Sequence, residues 1–371
     1  MSVTFLGYYG QFNTGDDAFC VVSDWGARKF WNESNVKFAG SDLPIGYFGK
    51  TVKSTLFTTH QFKGQHHVES LFQPFIGKNV IYAGGSVFHR EIDRFTREGI
   101  FSNYRKLGLL NLSAIGVSIG PFKNSRDRNS IRNYLSKFSF IALRDERSYE
   151  EVIDMNLSTT AVKAFDLAAL LPSMYSIQPK QTSQPVLGVS ACYYERYTCG
   201  DTKKEKARID KLMGSIELVV KRIPNIRLKI FCFNAHPVFG DNEITDSLVA
   251  FFSDKNVDVE RIEYNSSPES IWNEIQKCDA VLSTRLHSGI FSCFAEVPFI
   301  QIEYHYKCTD FLKDVGYDSR YTIGDFDISE SEVALRIERI IVDKKSPSIK
   351  FMESCKDRAL LNFTELKQFI K

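Results

Sequence analysis

The feature that most constrains this chain is an alternation that runs twice. Short apolar runs, each closed by Gly, Ser, Asn or a charge, alternate with amphipathic stretches of helical period, and after a polar interruption the pattern starts again. In the first half the runs are Val3 to Leu6, Val80 to Ala83, Ala114 to Ile119 and Phe140 to Leu143, with a weaker one near Val162 to Phe165. In the second they are Val186 to Ser190, Leu228 to Phe233, Val257 to Ile262, Ala280 to Ser283 and Phe299 to Ile302. Runs this apolar suit strands covered on both faces, and their alternation with helices calls for parallel sheets. Helices are expected at Lys204 to Arg222, Ile244 to Phe252 and Ile271 to Lys277, the last opened by Ser267 as cap and Pro268 in the first turn.

From Ser176 to Pro185 the chain is rich in Gln, Ser and Pro, a linker composition. The expectation is therefore an α/β protein of two doubly wound, Rossmann-like domains, residues 1–176 and 185–345. A final segment, 346–371, carries a helical stretch from about Ile349 to Ile370. Ligands of doubly wound sheets bind beyond the carboxyl ends of the strands, so two facing halves leave a cleft between them.

Composition works by exclusion. Lys and Arg total 47 against 45 Asp and Glu, and a net charge of +2 supplies no global field for nucleic acid or an anionic membrane. An anionic ligand must be held locally. The eight cysteines are scattered without a CxxC pair, which excludes a zinc ribbon or disulfide framework and points to reduced thiols in the cytoplasm. His60, His66, His67, His89 and His236 lack metal-ligand spacing, and no metal is expected. The first residues enter a strand directly and no apolar run approaches about 18 residues, so neither a signal peptide nor a bilayer span is expected. Any contact with the inner face of a membrane would be peripheral.

Five segments carry groups suited to chemistry. The first strand runs into Gly7 to Ala18, a glycine-punctuated turn offering Asn13, Asp16 and Asp17 at the start of a helix; it lacks the Gly-x-Gly-x-x-Gly fingerprint, and Asp16 has the alternative role of a plain helix cap. Gly84, Gly85 and Ser86 follow a buried strand, where a backbone cradle for an anion or sugar competes with a simple tight turn. Arg144 to Ser148 begins a helix after another strand. Arg144 can fork a phosphate or carboxylate there, or pair with Asp145 or Glu146 beside it. Ser283 to Gly289 is the sharpest segment, because strand alternation would aim both Arg285 and His287 into the cleft as a fixed cation and a proton donor. The competing role of His287 is that of a satisfied structural residue. On the same rim, Glu303 to Lys307 adds Tyr304 and Lys307, the latter either a ligand or a solvated helix-start lysine.

In order, these segments resemble the polysaccharide pyruvyl transferase family. The resemblance is carried by Asn13 to Asp16, Gly84 to Ser86, Gly116 to Pro121, Ala142 to Ser148, Asp166, Arg285 to Ser288, Pro298 to Ile300, and Tyr304 with Lys307. It implies a GT-B-like fold whose last helix packs back on the first domain, the first domain serving the acceptor and the second the donor. It also implies transfer of an enolpyruvyl group from phosphoenolpyruvate to two hydroxyls of a sugar, in a bacterial surface polysaccharide or its lipid-linked precursor. The products would be a cyclic pyruvate ketal and phosphate, with phosphoenolpyruvate as co-substrate and no cofactor. On that basis His287 is the acid and Asp16 the base, with Asp17 as the second choice. Arg144, Arg285, Lys307, Gly85 and Ser86 would hold the donor, and Asn13, Asp17 and Tyr304 the acceptor. Two other classes compete. A GT-B glycosyltransferase would use Glu303 on the ribose of a nucleotide sugar, and an inactive sugar-binding protein would stack Tyr8, Tyr9, Tyr193 and Tyr194 on its ligand.

Overall fold

The computed structural model describes residues 2–46, 49–178, 180, 183–324 and 329–370. The first sheet contains β1 (Val3–Leu6), β2 (Val36–Phe38), β3 (Asn79–Ala83), β4 (Asn111–Val117), β5 (Phe140–Leu143) and β6 (Thr160–Lys163) in the order β2-β1-β3-β4-β5-β6. The second contains β7 (Val186–Ser190), β8 (Arg227–Phe231), β9 (Asp258–Ile262), β10 (Ala280–Ser283), β11 (Phe299–Glu303) and β12 (Ile323–Gly324) in the order β12-β11-β10-β7-β8-β9. Every pairing is parallel. The sequence order reverses between β1 and β3 in one sheet and between β7 and β10 in the other, and open sheets of this kind bind ligands at such reversals.

The apolar runs become the buried centres of these sheets, as in β1, β3, β5, β7 and β10, whose residues are all buried. Two edge strands carry no sequence signal because β2 has three residues and β12 two, too short for a period. The run Ala114 to Ile119 ends early as a strand, at Val117. Gly116 takes a φ of 59° there and the register with β5 shifts between Ala114 and Val117, and the chain beyond it brings Ser118 to Arg144.

The linker is crossed by an ordered contact, since the Gln178 amide donates to Gln276 Oε1 of the second domain at 2.5 Å. The final helix, Met352–Thr364, packs on the first domain as the resemblance implied. Asn362 accepts from Gly116 N at 2.7 Å and donates to Phe165 O at 3.0 Å, while Trp31 Nε1 donates to Phe363 O at 2.8 Å. Phe363 fits against Gly26, where a Cβ would lie 2.2 Å from its ring. The helical stretch is shorter than the sequence pattern, with the 3-10 turn Leu366–Phe369 replacing its last residues.

Candidate active site

The helix Thr14–Trp31 begins at the carboxyl end of β1. Its cap is Asn13, whose Oδ1 accepts from Gly15 N at 3.0 Å, so Asp16 is not the cap. Asn13 also bridges to Asn234 of the second domain, and Thr14 N donates to Phe233 O at 2.9 Å, seating the helix start against the facing wall. Burial raises the Asp16 carboxyl to a pKa of about 7, with further upward pressure from Asp17. Burial raises Asp17 to about 7 as well, against the Tyr264 hydroxyl of the second domain, which donates to Asp17 Oδ2 at 2.7 Å.

After β3, Gly84 and Gly85 both hold left-handed backbone, with φ of 76° and 79°. A Cβ on Gly84 would lie 2.2 Å from the Phe19 ring, whereas one on Gly85 would lie 4.0 Å from Asp16 Oδ1. The turn thus lets Phe19 in beneath it and leaves Gly85 beside Asp16. Phe19 also meets His287 edge-on at 5.1 Å and the Arg144 guanidinium at 5.9 Å, so one buried ring backs three elements of the site.

Arg144 follows β5 and is buried. It does not pair with Asp145 or Glu146. Its Nε donates to Ser118 Oγ at 2.7 Å, Nη1 to Asp166 Oδ2 at 2.8 Å and Nη2 to Ser86 Oγ at 3.4 Å. Asp145 instead caps the helix Glu146–Asp154 through Ser148 N and accepts from Ser118 Oγ at 2.6 Å. Asp166 opens the 3-10 turn Leu167–Ser173 by accepting from Ala168 N at 2.9 Å, leaving Oδ2 for Arg144.

On the other wall, strand alternation does not govern Arg285 and His287. β10 stops at Ser283 and the helix Leu286–Phe294 starts at once, so the two side chains diverge instead of pointing together. Arg285 turns within its own domain. Its Nε lies 3.0 Å from both carboxylate oxygens of buried Asp241 and its Nη2 reaches Oδ1, a two-pronged pair that leaves Nη1 outside it. Asn234 N donates to the same carboxylate at 3.1 Å; burial pulls the Arg285 pKa down, and the pairing with Asp241 outweighs it and holds the pKa above the ordinary arginine value.

His287 crosses toward the first domain. Its Nδ1 would lie 2.2 Å from a Cβ on Gly15, so only glycine at that position admits the ring. Nε2 stands 3.9 Å from Asp166 Oδ2 and is buried without a hydrogen-bond partner among the described residues. Burial lowers its pKa to about 4, aided by Arg144, Lys307 and Arg285 and opposed by Asp166. Lys307 crosses too: Nζ donates to Ser86 Oγ at 2.7 Å, and burial beside Arg144 brings its pKa down to about 8. It is therefore not a solvated surface lysine.

Tyr304 packs edge-on against Tyr194 at 5.0 Å, and burial holds its hydroxyl well above the ordinary tyrosine range. Of the rings considered for stacking, Tyr9 is buried with its hydroxyl on Ala83 O at 2.8 Å, and Tyr193 is covered by Arg196 at 3.3 Å. Tyr8 stays exposed at the mouth, next to Gly85. Arg144, Asp166 and Lys307, with Phe165, Leu286, Ile290 and Phe311, also line a cavity of about 30 Å³ between the domains.

Sequence reasoning did not assign Phe19, Ser118, Asp241 or Tyr264 to the site. Ser118 lay inside a segment already noted, and Asp241 follows Gly240 at a helix start, a place where a buried arginine could have been expected to find its carboxylate. Phe19 and Tyr264 carry no local signal.

Two doubly wound domains facing each other across a cleft define the GT-B fold. Within it, this chain belongs to the polysaccharide pyruvyl transferase family, which it matches over residues 13–306. No curated protein sequence matches it. Solved structures share the fold at low identity. The UDP-GlcNAc 2-epimerase of Methanocaldococcus jannaschii aligns with a TM-score of 0.59 at 12% identity, over 98% of this chain and 99% of that one. HepE of Anabaena, solved with UDP-glucose, aligns with a TM-score of 0.56 at 12% identity, over 100% and 98%. The lipopolysaccharide outer core galactosyltransferase WaaB aligns with a TM-score of 0.53 at 12% identity, over 100% and 99%.

Proposed function

We propose that the chain transfers the pyruvyl group of phosphoenolpyruvate to two hydroxyls of a sugar, forming a cyclic ketal and phosphate. The observation that carries this reading is the meeting of Lys307, from the second domain, with Arg144, from the first, at the Ser86 hydroxyl. Two cations from opposite walls converge on one small polar point, in a chain whose charges otherwise cancel. A compact donor bearing both carboxylate and phosphate suits that point. Gly85 keeps its backbone open beside it.

Protonated His287 gives its proton to the methylene carbon of phosphoenolpyruvate, turning it into a methyl group and leaving an electron-poor C2. A sugar hydroxyl adds to C2 and loses its proton to Asp16. The C2–O bond to phosphate breaks, a second hydroxyl adds, and its proton leaves with phosphate. Asp16 suits the base because its pKa of about 7 lies near neutrality, whereas Asp17 is already engaged by Tyr264. With its pKa of about 4, His287 is neutral at pH 7 in the empty cleft; the negative charges of the donor raise that value, so binding itself would load the acid. Arg285, fixed on Asp241, contributes at most its remaining Nη1 edge. The acceptor is a sugar, for which Asn13 and Tyr304 remain candidates, whereas Asp17 is buried and held by Tyr264.

The test is phosphate release from phosphoenolpyruvate across galactosides, glucosides and N-acetylhexosaminides, with products checked by mass and NMR. Phosphate release that depends on an acceptor and yields a ketal supports the reading. A melting temperature raised by nucleotide sugars but not by phosphoenolpyruvate, without phosphate release, would overturn it in favour of glycosyl transfer.

A further inference from the structure

The helix Gln65–Ile76 is built inside out. Its inward stripe is mostly polar: Gln65, Glu69, Ser70 and Gln73 are buried, with Ile76 the one apolar residue among them. Those polar groups are satisfied. Glu69 accepts from Thr55 Oγ1 at 2.7 Å, Gln73 Nε2 donates to Thr4 Oγ1 at 2.9 Å, Gln65 accepts from Gln61 N at 2.9 Å and Ser70 donates to His66 O at 2.6 Å. The outward face carries Leu71, Phe72 and Phe75, at 52%, 51% and 87% exposure. Positions 71 and 75, and 72 and 75, are neighbours on a helix surface, so the three form one patch.

The patch continues onto the next helix. Tyr104, in the helix Arg97–Lys106, donates its hydroxyl to Leu71 O at 2.9 Å, and Leu107 and Leu109 just beyond that helix are 71% and 41% exposed. Exposed Lys78 and Lys106 flank it, with Lys78 O accepting from Asn111 N at 2.7 Å beside the leucines. Residues 51–110 hold eight Lys and Arg against four Asp and Glu, a net +4, so the rest of the chain sums to −2. The acidic members stand apart from this end: Glu69 is buried, and Glu91, Asp93 and Glu98 lie before or within the first turn of the helix Arg97–Lys106.

We propose that this face docks the protein on an anionic lipid surface. Phe72, Phe75 and Leu107 would enter the acyl boundary while Lys78 and Lys106 meet the headgroups. Charge decides the occupant, because a second copy seated on the same face would set like-charged lysines against each other. The proposal does not rest on the reading of the cleft.

The test uses the full chain with sedimented vesicles of phosphatidylcholine alone or with roughly a third phosphatidylglycerol, the kind of anionic surface that two-signal anchoring requires. Binding to the anionic vesicles only, weakening as salt rises, is expected. F72S/F75S should lower the bound fraction at least about tenfold, and so should K78E/K106E, at about 1 kcal/mol per lysine near the surface, each without lowering the melting temperature. Equal binding to both vesicle types, no binding to either, or variants that bind as the parent does would overturn the proposal. So would light scattering that shows a dimer abolished by F72S/F75S, which would assign the face to a second copy.

Discussion

Each wall of the cleft carries an arginine paired with a buried aspartate, and the two are built to different ends. On the second-domain wall Arg285 grips Asp241 with two prongs inside its own domain, so the pair is complete whatever the first domain does. On the first-domain wall Arg144 makes one bond to Asp166 and spreads its other two donors over Ser118 and Ser86. Its partners look outward, since Asp166 Oδ2 also faces His287 at 3.9 Å and Ser86 also receives Lys307 at 2.7 Å. One pair is a closed fixture, and the other is the point where the two domains exchange charge. Burial and a charged partner alone do not mark a residue as reactive; which domain supplies the partner is the sharper sign.

The largest effect should fall on the crossing group. His287→Ala should lower the rate of phosphate release by about 10²–10⁴, the usual worth of a general acid. Any stability lost should come from the space left beside Phe19 and not from a stranded hydrogen-bond partner, since Nε2 has none among the described residues. Gly15→Ala is the sharper version. Its Cβ would displace the ring, lying 2.2 Å from Nδ1, so it should reproduce much of the loss with the imidazole still present. Parent rates in both variants would break the comparison at its centre.

The fixture should answer in stability instead. Asp241→Ala leaves the partly exposed Arg285 guanidinium and the Asn234 amide without their carboxylate and should cost about 1–3 kcal/mol in urea unfolding. Asp166→Ala leaves Arg144 two hydroxyl acceptors, Ser118 and Ser86, and should cost less, while shifting the pH profile of activity through the lost carboxylate beside His287. Equal costs with unchanged pH profiles would show that the two pairs do the same job.

Much of this was legible beforehand, for uneven physical reasons. A strand buried on both faces writes itself as an apolar run, so β1, β5, β7 and β10 could be read to the residue. β2 and β12 could not, because two or three residues at a sheet edge need no pattern. Loops at strand ends announced Asp16, Arg144, Arg285, His287 and Lys307 as charges where a buried strand stops. The direction each would face was not legible. Where a strand yields at once to a helix, two residues of spacing no longer mean one side, and Arg285 and His287 part. Asp241 and Tyr264 stayed silent because their partners lie 44 and 247 positions away.

The smallest effect concerns pH and sharpens the contrast between Asp17 and His287. Asp17 is buried, with Oδ1 lacking a hydrogen-bond partner among the described residues and Oδ2 held by Tyr264. Its folded pKa of about 7 exceeds the ordinary aspartate value of 3.8, so the native chain holds a proton that the unfolded chain gives up. Stability from this group is therefore lowest above about pH 7 and recovers as pH falls toward 4. His287 acts in the opposite sense, because its folded pKa of about 4 lies below 6.5 and the unfolded chain takes the proton first. That destabilises the fold as pH falls from about 6.5 to 4 and offsets the gain from Asp17. Asp17→Asn removes one side of the balance and keeps a group able to meet Tyr264. At pH 8 it should stabilise the protein by about 1–3 kcal/mol relative to the parent, and the advantage should vanish by pH 5. An advantage that persists at pH 5 would mean that packing, and not charge, sets the difference, and the opposition between Asp17 and His287 would fall.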